Sequence, residues 1–300
     1  MAALEQRLDE LGERVDALAG EPEEPEDAKA AGKRKPKADP KAKKKTGPGE
    51  KPEKPEKPGP ATSPATHAAH DLGPPPAQAH GPVPWSYRGE RGPDAWGGLD
   101  PSFGKCASGE AQSPIDILPQ RARPPDVVFV YQATAGAVVD NGHTLQVDLE
   151  RGSYAVVDGE RFELVQFHVH TPSEHTIAGD VFPLEVHLVH QSQAGALAVV
   201  GVLFAEGEPS TALAPVWKSA PRSTGQRRLK SKFDPSTILP REQGAYRYDG
   251  SLTTPPCSEG VRWIVMRRTR TEDPTRIAGL RDRFGSNARP IQELGARELR

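Results

Sequence analysis

Residues 166 to 190 read QFHVHTPSEHTIAGDVFPLEVHLVH. Its two ends are alternating, apolar-rich runs joined by a Thr-Pro-Ser-Glu turn, which predicts two neighbouring β-strands. Successive side chains of a strand point to opposite faces, so His168 and His170 share a face and aim at one point. A second strand running back beside the first brings His187 to that point. Three neutral imidazoles around one ion leave a fourth tetrahedral position open, the arrangement of a catalytic zinc rather than a closed structural one. Gln166 and Glu185 each stand two residues before a candidate ligand, on its face, where they accept the outer ring N–H, fix the tautomer and raise the imidazole's basicity. His190, three after His187, points to the opposite face, and His175 follows the turn. Both read as hydrogen-bonded structural histidines.

Outward from this stretch the chain is uneven. Of its 300 residues, every Trp, Tyr and Phe lies at or beyond Trp85. The first 84 residues are crowded with Pro, Lys, Glu and Ala, as in KRKPKADPKAKKKTGPGEKPEKPEKPGP. Such a stretch cannot bury enough apolar surface to offset the entropy of ordering, so residues 20–81 are expected to be a disordered, semi-stiff linker. Before it, Leu4, Leu8, Leu11, Val15 and Leu18 are spaced by four and three on one helical stripe. Residues 1–19 therefore read as a short amphipathic helix, either solitary or joining copies of the chain as a coiled coil. The basic run Lys33–Lys45 is nearly balanced by Glu and Asp along the tail, and the whole chain carries a formal charge of −2. That favours a solvated linker over a nucleic-acid surface.

Residues 82–300 suffice for one well-buried domain. AVVDNGHTLQVDL, SYAVVDGERFELVQFHVH and ALAVVGVLF alternate or run apolar between Asn-Gly, Asp-Gly and Gly breaks, the pattern of antiparallel pairing. Helix signals are few: PSTIL at 235–239 and TRIAGLRDRF at 275–284. The patterning predicts a mainly β fold with a few surface helices.

QFHVHTPSEHTIAG, EVHLVH, YDGSLTTPPCSEGVRW, NGHTLQV and GEAQSPIDI, with NARPIQ closing the chain at 287–292, resemble the alpha-class carbonic anhydrases, in particular the bacterial type with its short TPSEH link. The resemblance covers about residues 84–300. It implies a large, twisted, mostly antiparallel central sheet with Zn²⁺ on His168, His170 and His187 at the base of a cone-shaped cleft. The implied reaction is the reversible hydration of carbon dioxide to bicarbonate and a proton, by attack of zinc-bound hydroxide. Thr253 accepts the hydroxide's hydrogen and passes its own proton to Glu174, while Thr254 hydrogen-bonds bicarbonate. Val189, Val199, Leu252 and Trp263 stand at the positions of the apolar substrate wall. His143 matches the proton-shuttle histidine, whose ordinary pKa near 6.5 suits that task. Tyr87, Asn141 and Gln146 line its water chain. Gln146 and Asp140 depart from the Asn often found at those positions, which bears on that water chain.

The two cysteines, Cys106 and Cys257, sit beside family motifs, and the resemblance implies that they pair. Free thiols are the alternative. A disulfide favours a periplasmic or secreted protein. Residues 1–20 have acids throughout and no continuous apolar core, so no signal peptide is visible and a cytoplasmic location stays open. No segment is long and apolar enough to span a membrane.

Two rivals belong to other classes. His168-x-His170-x3-Glu174 also satisfies the first metal motif of the cupins, but the Pro-x-Gly-x2-His segment that a cupin needs does not follow. A binding module without catalysis is the second, since some family members have lost ligand histidines. Here all three are present, with Thr253 and Glu174.

Overall fold

The computed structural model describes residues 83–119 and 127–300. The helix expected over 1–19, the linker over 20–81 and any association through residues 4–18 lie outside the described residues.

In chain order the strands are β1 (Asp116–Ile117), β2 (Val127–Val130), β3 (Gly136–Asp140), β4 (Leu145–Leu149), β5 (Tyr154–Val157), β6 (Glu160–His170) and β7 (Thr176–Ile177). There follow β8 (Asp180–Val181), β9 (Leu184–Ser192), β10 (Leu197–Glu206), β11 (Gly225–Arg228), β12 (Ala245–Ser251), β13 (Glu259–Met266) and β14 (Arg270–Glu272). Eleven of them form one sheet along the path β11-β3-β4-β6-β9-β10-β13-β12, with β5 on β6, β2 on β5 and β14 on β10. Only β13 and β14 run parallel to their neighbour β10; the other pairings are antiparallel. The mainly β, mostly antiparallel expectation is met. β10 carries the near-continuous apolar run LAVVGVLFAE because both of its faces are covered. The short strands β1, β7 and β8 make a separate three-stranded sheet.

Turn chemistry sets the hairpins. Asp158 and Gly159 both take positive φ, 51° and 79°, as a two-residue type I′ turn requires, and they join β5 directly to β6. Along β6 the register shifts between Leu164 and Gln166, a bulge at Val165. This extra residue reverses the alternation. Phe162 and Leu164 before it, and Phe167 and Val169 after it, all enter the main core. Gln166, His168 and His170 consequently face the other side.

The main core lies on one face of the sheet, where Val138, Val147, Phe167, Val186, Leu188 and Val200 pack against Leu213, Val216, Phe233 and Ile277. The opposite face carries a second cluster around Val199, Leu203, Tyr248, Val261, Trp263 and Val265. The expected C-terminal helix runs Pro274–Phe284, with the Asp273 carboxylate accepting from the N–H of Thr275 at 2.7 Å, and it buries Ile277 and Leu280. PSTIL forms one 3₁₀ turn, Pro235–Ile238. Helix Ala214–Ser219 and the short turns between Gly89 and Ser108 carry too few residues to show a period.

Cys106 and Cys257 are disulfide-bonded across a sequence separation of 151. Closing so long a loop restricts the unfolded chain. The double substitution Cys106→Ala, Cys257→Ala is expected to lower stability by about 5 kcal/mol, measured by urea unfolding. His190 lies on the core face with its Nε2 2.7 Å from the Tyr131 hydroxyl, and burial pushes its pKa down to about 4. The unfolded chain protonates this ring near pH 6.5, so the stability it contributes is whole above that pH and is lost as pH falls toward 4. His190→Gln is therefore expected to remove about 2–3 kcal/mol of the loss between pH 7 and pH 4.5. Parallel pH profiles of unfolding free energy for the two proteins would contradict this.

Candidate metal centre

β6 and β9 are antiparallel with His168 directly opposite His187, and one strand step further His170 faces Glu185. Ligand nitrogens of His168, His170 and His187 lie within 4.8 Å of one another. Two of the rings lie at hydrogen-bond distance from an outer acceptor, and the third lies against a carboxylate without a hydrogen bond of good geometry. His168 Nδ1 lies 2.9 Å from Gln166 Oε1, and His170 Nδ1 lies 2.7 Å from the backbone oxygen of Asn287. His187 is turned the other way, with Nε2 2.9 Å from Glu185 Oε1, so its Nδ1 faces the cluster. His170 Nε2 is buried and has no hydrogen-bond partner among the described residues. Burying such an atom unpaired is costly, and a bound cation relieves the cost. The donor set therefore fits a tetrahedral metal with one position open.

The electrostatics agree. Burial, followed by the neighbouring His170 and His187, holds the His168 imidazole well below its ordinary pKa, and burial lowers His170. Both rings are thus favoured in the neutral form that metal binding requires. Burial, the largest influence, pushes His187 down, but the Glu185 charge, the Glu185 contact and the Glu174 charge together outweigh it and leave this ring raised. A cation bound at Nδ1 would take the place of that proton. Burial works to raise Glu185, yet His175 and His187 hold its carboxyl well below the usual range. Gly201 lies across from His187 on β10, and a Cβ there would stand 2.8 Å from Glu185 Oε1, so only glycine leaves this carboxylate its place.

His175 is fully buried between Glu185 Oε1 at 2.8 Å and the Tyr248 hydroxyl at 2.7 Å. Glu174 is 2 % exposed; its Oε1 accepts from the N–H of Arg289 at 2.9 Å. Its Oε2 has no hydrogen-bond partner among the described residues and lies 3.5 Å from His170 Nε2 and 3.8 Å from His187 Nδ1. Thr253 is buried too, but among the described residues no hydrogen bond joins its side chain to that of Glu174. The link expected between them is not formed in this structure, and the oxygen that would accept it is the unpartnered one.

A cavity of about 310 Å³ opens over the histidines. Its lining includes Gln166, His168, His187 and Thr253 together with Val189, Val199, Leu252, Thr254 and Trp263. All five residues expected to bind substrate are thus brought to one wall. Val165, Gln191, Leu197, Pro255, Pro256 and Ser258 complete it, without any signal in the local pattern to single them out. A wider cleft of about 850 Å³ near Arg151, Glu160 and Arg161 carries no histidine.

The residues expected to move protons lie to one side of that cavity. His143 is half-buried and stacked on Trp85, with ring centroids 4.1 Å apart, and Tyr87 meets it edge-on at 6.2 Å. It does not line the cavity. Asn141 spends its side-chain oxygen on the N–H groups of His143 and Thr144, at 3.0 Å each, shaping the turn. Gln146 is opposite His168 and donates to Asp148 Oδ1 at 2.5 Å. Burial, and then the Glu174 charge, raise the Tyr87 phenol well above its ordinary pKa.

Asn287 and Arg289 were not singled out by residue type or spacing; their signal was the closing motif NARPIQ. Asn287 also donates from Nδ2 to the carbonyls of His143 and Val169, both at 3.0 Å, and accepts from Thr171 N at 2.7 Å. One residue thereby joins the ligand strand, the turn after it and the His143 turn.

The sequence model of the eukaryotic-type carbonic anhydrases matches residues 91–300. A carbonic anhydrase of Nostoc sp. is 41% identical over 225 residues, covering 72% of this chain and 84% of that protein. The alpha-carbonic anhydrase of Thermovibrio ammonificans, solved in complex with the inhibitor sulfanilamide, is 44% identical with a TM-score of 0.70, covering 73% of this chain and 99% of that one. Dioscorin complexed with ascorbate shares the fold at 30% identity and a TM-score of 0.66, over 72% of this chain and 96% of its own. Motifs, sheet and comparisons agree that the chain belongs to the alpha-class carbonic anhydrase family and is of its bacterial type.

Proposed function

We propose that this protein is a zinc-dependent carbonic anhydrase that hydrates carbon dioxide reversibly to bicarbonate and a proton. The observation that carries this is the set of three buried histidines, each with its outer nitrogen against an oxygen of its own, with inner nitrogens converging beneath an apolar wall. A fold by itself does not fix an activity, so the reading rests on this residue set. His168, His170 and His187 would hold the zinc ion, which when bound would supply the positive charge that lowers the pKa of water toward neutrality.

The chain's own residues do the rest. Carbon dioxide has no charge and no hydrogen to donate, so Val189, Val199, Leu252 and Trp263 offer it a dry surface beside the open metal position. Thr253 directs the nucleophile, its hydroxyl donating to the unpartnered Glu174 Oε2 and accepting from the attacking oxygen. Thr254 hydrogen-bonds the bicarbonate product. His143, half-exposed at the turn after Gly142, carries the released proton to buffer. The disulfide supports work in an oxidising compartment, periplasmic or extracellular.

Removing a ligand and removing an orienting group are expected to differ. His168→Ala loses zinc and activity together. Thr253→Ala keeps zinc and loses about a hundredfold in kcat/KM, as when positioning rather than binding is removed. Metal analysis with stopped-flow hydration kinetics separates the two, and full activity in zinc-loaded Thr253→Ala would overturn the role of Thr253.

His143 acts in the other half of the cycle. Attack on carbon dioxide does not involve it, whereas regeneration of the nucleophile does. His143→Ala is expected to lower kcat and KM together with kcat/KM unchanged, and a small imidazole buffer is expected to restore kcat. A fall in kcat/KM without rescue would assign His143 a structural role.

A further inference from the structure

Glu174 is a buried carboxylate held by one backbone donor, the N–H of Arg289 at 2.9 Å. The position of that N–H depends on what fixes residue 289. Pro290 follows it and restricts its backbone to extended conformations. The guanidinium does the rest. Arg289 is 4 % exposed, and its Nη1 donates to Gln112 Oε1 and to the Ser113 carbonyl, both at 2.9 Å, while Nη2 donates to the Cys106 carbonyl at 3.2 Å. It also lies over the Trp96 ring, 5.8 Å from the centroid. Every one of these partners belongs to the segment 96–113, remote in sequence from the closing segment.

Among the described residues no carboxylate forms an ion pair with Arg289. Its acceptors are neutral; burial lowers its pKa and the nearby charge of Glu174 offsets part of that effect. Buried cation and buried anion are thus coupled twice, by charge across a short distance and by the 289 N–H. Gln112 extends the coupling, since its Nε2 donates to the Cys257 carbonyl at 3.1 Å, on the loop that carries Thr253.

We propose that Arg289 is a positioning residue for the reaction: anchored on Gln112, Ser113 and Cys106, it holds its own N–H on Glu174 Oε1 and so sets the direction in which Glu174 Oε2 receives the Thr253 hydroxyl. This rests on the roles proposed above for Thr253 and Glu174. A plain structural staple between segments 106–113 and 287–292 would move stability and leave the chemistry of Thr253 untouched.

The test is a double-mutant comparison in the full chain, loaded with zinc. Arg289→Met, Arg289→Lys and Gln112→Leu are each measured for zinc content, thermal unfolding and kcat/KM, first alone and then combined with Thr253→Ala. Alone, Arg289→Met is expected to lose about tenfold in kcat/KM with zinc retained, Arg289→Lys less, and Gln112→Leu about threefold. Combined with Thr253→Ala, each further loss is expected to shrink to within about twofold, because the hydroxyl through which Arg289 acts is gone. Equal factors in both backgrounds, or no loss from any variant alone, would overturn the inference while leaving the role of Thr253 intact. If Thr253→Ala itself costs nothing, the proposed role of Thr253 falls and this inference with it. Where Arg289→Met does not fold, Gln112→Leu carries the same comparison.

Discussion

The carboxylate of Glu185 ties the metal-ligand strand to the turn that carries Glu174. It has no exposure to solvent, and an ionised carboxylate in such a place is tolerated only when both oxygens are satisfied. Oε1 lies 2.8 Å from His175 Nδ1 and 2.9 Å from His187 Nε2, while Oε2 accepts the N–H groups of Glu174 and His175 at 2.8 and 2.9 Å. From His175 the chain of contacts continues through the Tyr248 hydroxyl to Ser113 Oγ at 2.9 Å, and Ser113 Oγ accepts the N–H of Ser251 at 3.0 Å. One buried charge therefore orders a ligand ring, the turn after β6, the end of β12 and the segment near residue 113. Removing it would leave two buried imidazoles and two backbone donors without acceptors.

The sheet gives the centre its precision by alternation. Along β9, Glu185, His187 and Val189 supply in turn the acceptor, the ligand and the wall, while Leu184, Val186 and Leu188 fill the main core from the other face. Sliding β9 by one residue would exchange these sets, burying charges in the core and exposing leucines to the cavity. The core thus protects the register of the site. β6 obeys the same rule only because Val165 bulges. With strict alternation Phe162 and Leu164 would share a face with His168; the bulge returns them to the core and leaves the upper half of the strand for ligands.

Much of this was legible. Period-two spacing put His168 and His170 on one side and His190 on the other, and the Thr-Pro-Ser-Glu turn marked where the strand reverses. The Gln166 and Glu185 contacts follow from the same parity. The bulge was not legible, because an extra residue in an apolar run such as ELVQF changes no composition; only the pairing with His190 and Val189 reveals it. Asn287 and Arg289 were hidden for another reason. Asn287 holds His170 by its backbone oxygen, and Arg289 holds Glu174 by its backbone N–H, groups that every residue of these types possesses. Gln166 contacts a neighbour two residues away, whereas Asn287 reaches across 117 residues. Local periodicity speaks to the first kind of contact and is silent on the second.

Thr253 differs from the ligands in standing on a turn rather than a strand, between the end of β12 and the start of β13. A strand inherits its position from the ladder on either side, but a turn needs fixings of its own. Here they converge on Cys257, three residues after Thr254. Its N–H donates to the Thr254 carbonyl at 2.9 Å, its carbonyl accepts from Gln112 at 3.1 Å, and its sulfur is bonded to Cys106. Trp263 adds a fourth tie from β13, its Nε1 donating to the Ser251 carbonyl at 3.0 Å just before the turn. The proposed metal ligands are thus secured by the sheet, and Thr253, proposed to orient the reacting oxygen, is secured by the segment 96–113. That segment also anchors Arg289, so Glu174, whose own N–H is held from β9 by Glu185, shares with Thr253 one set of fixings in this part of the chain.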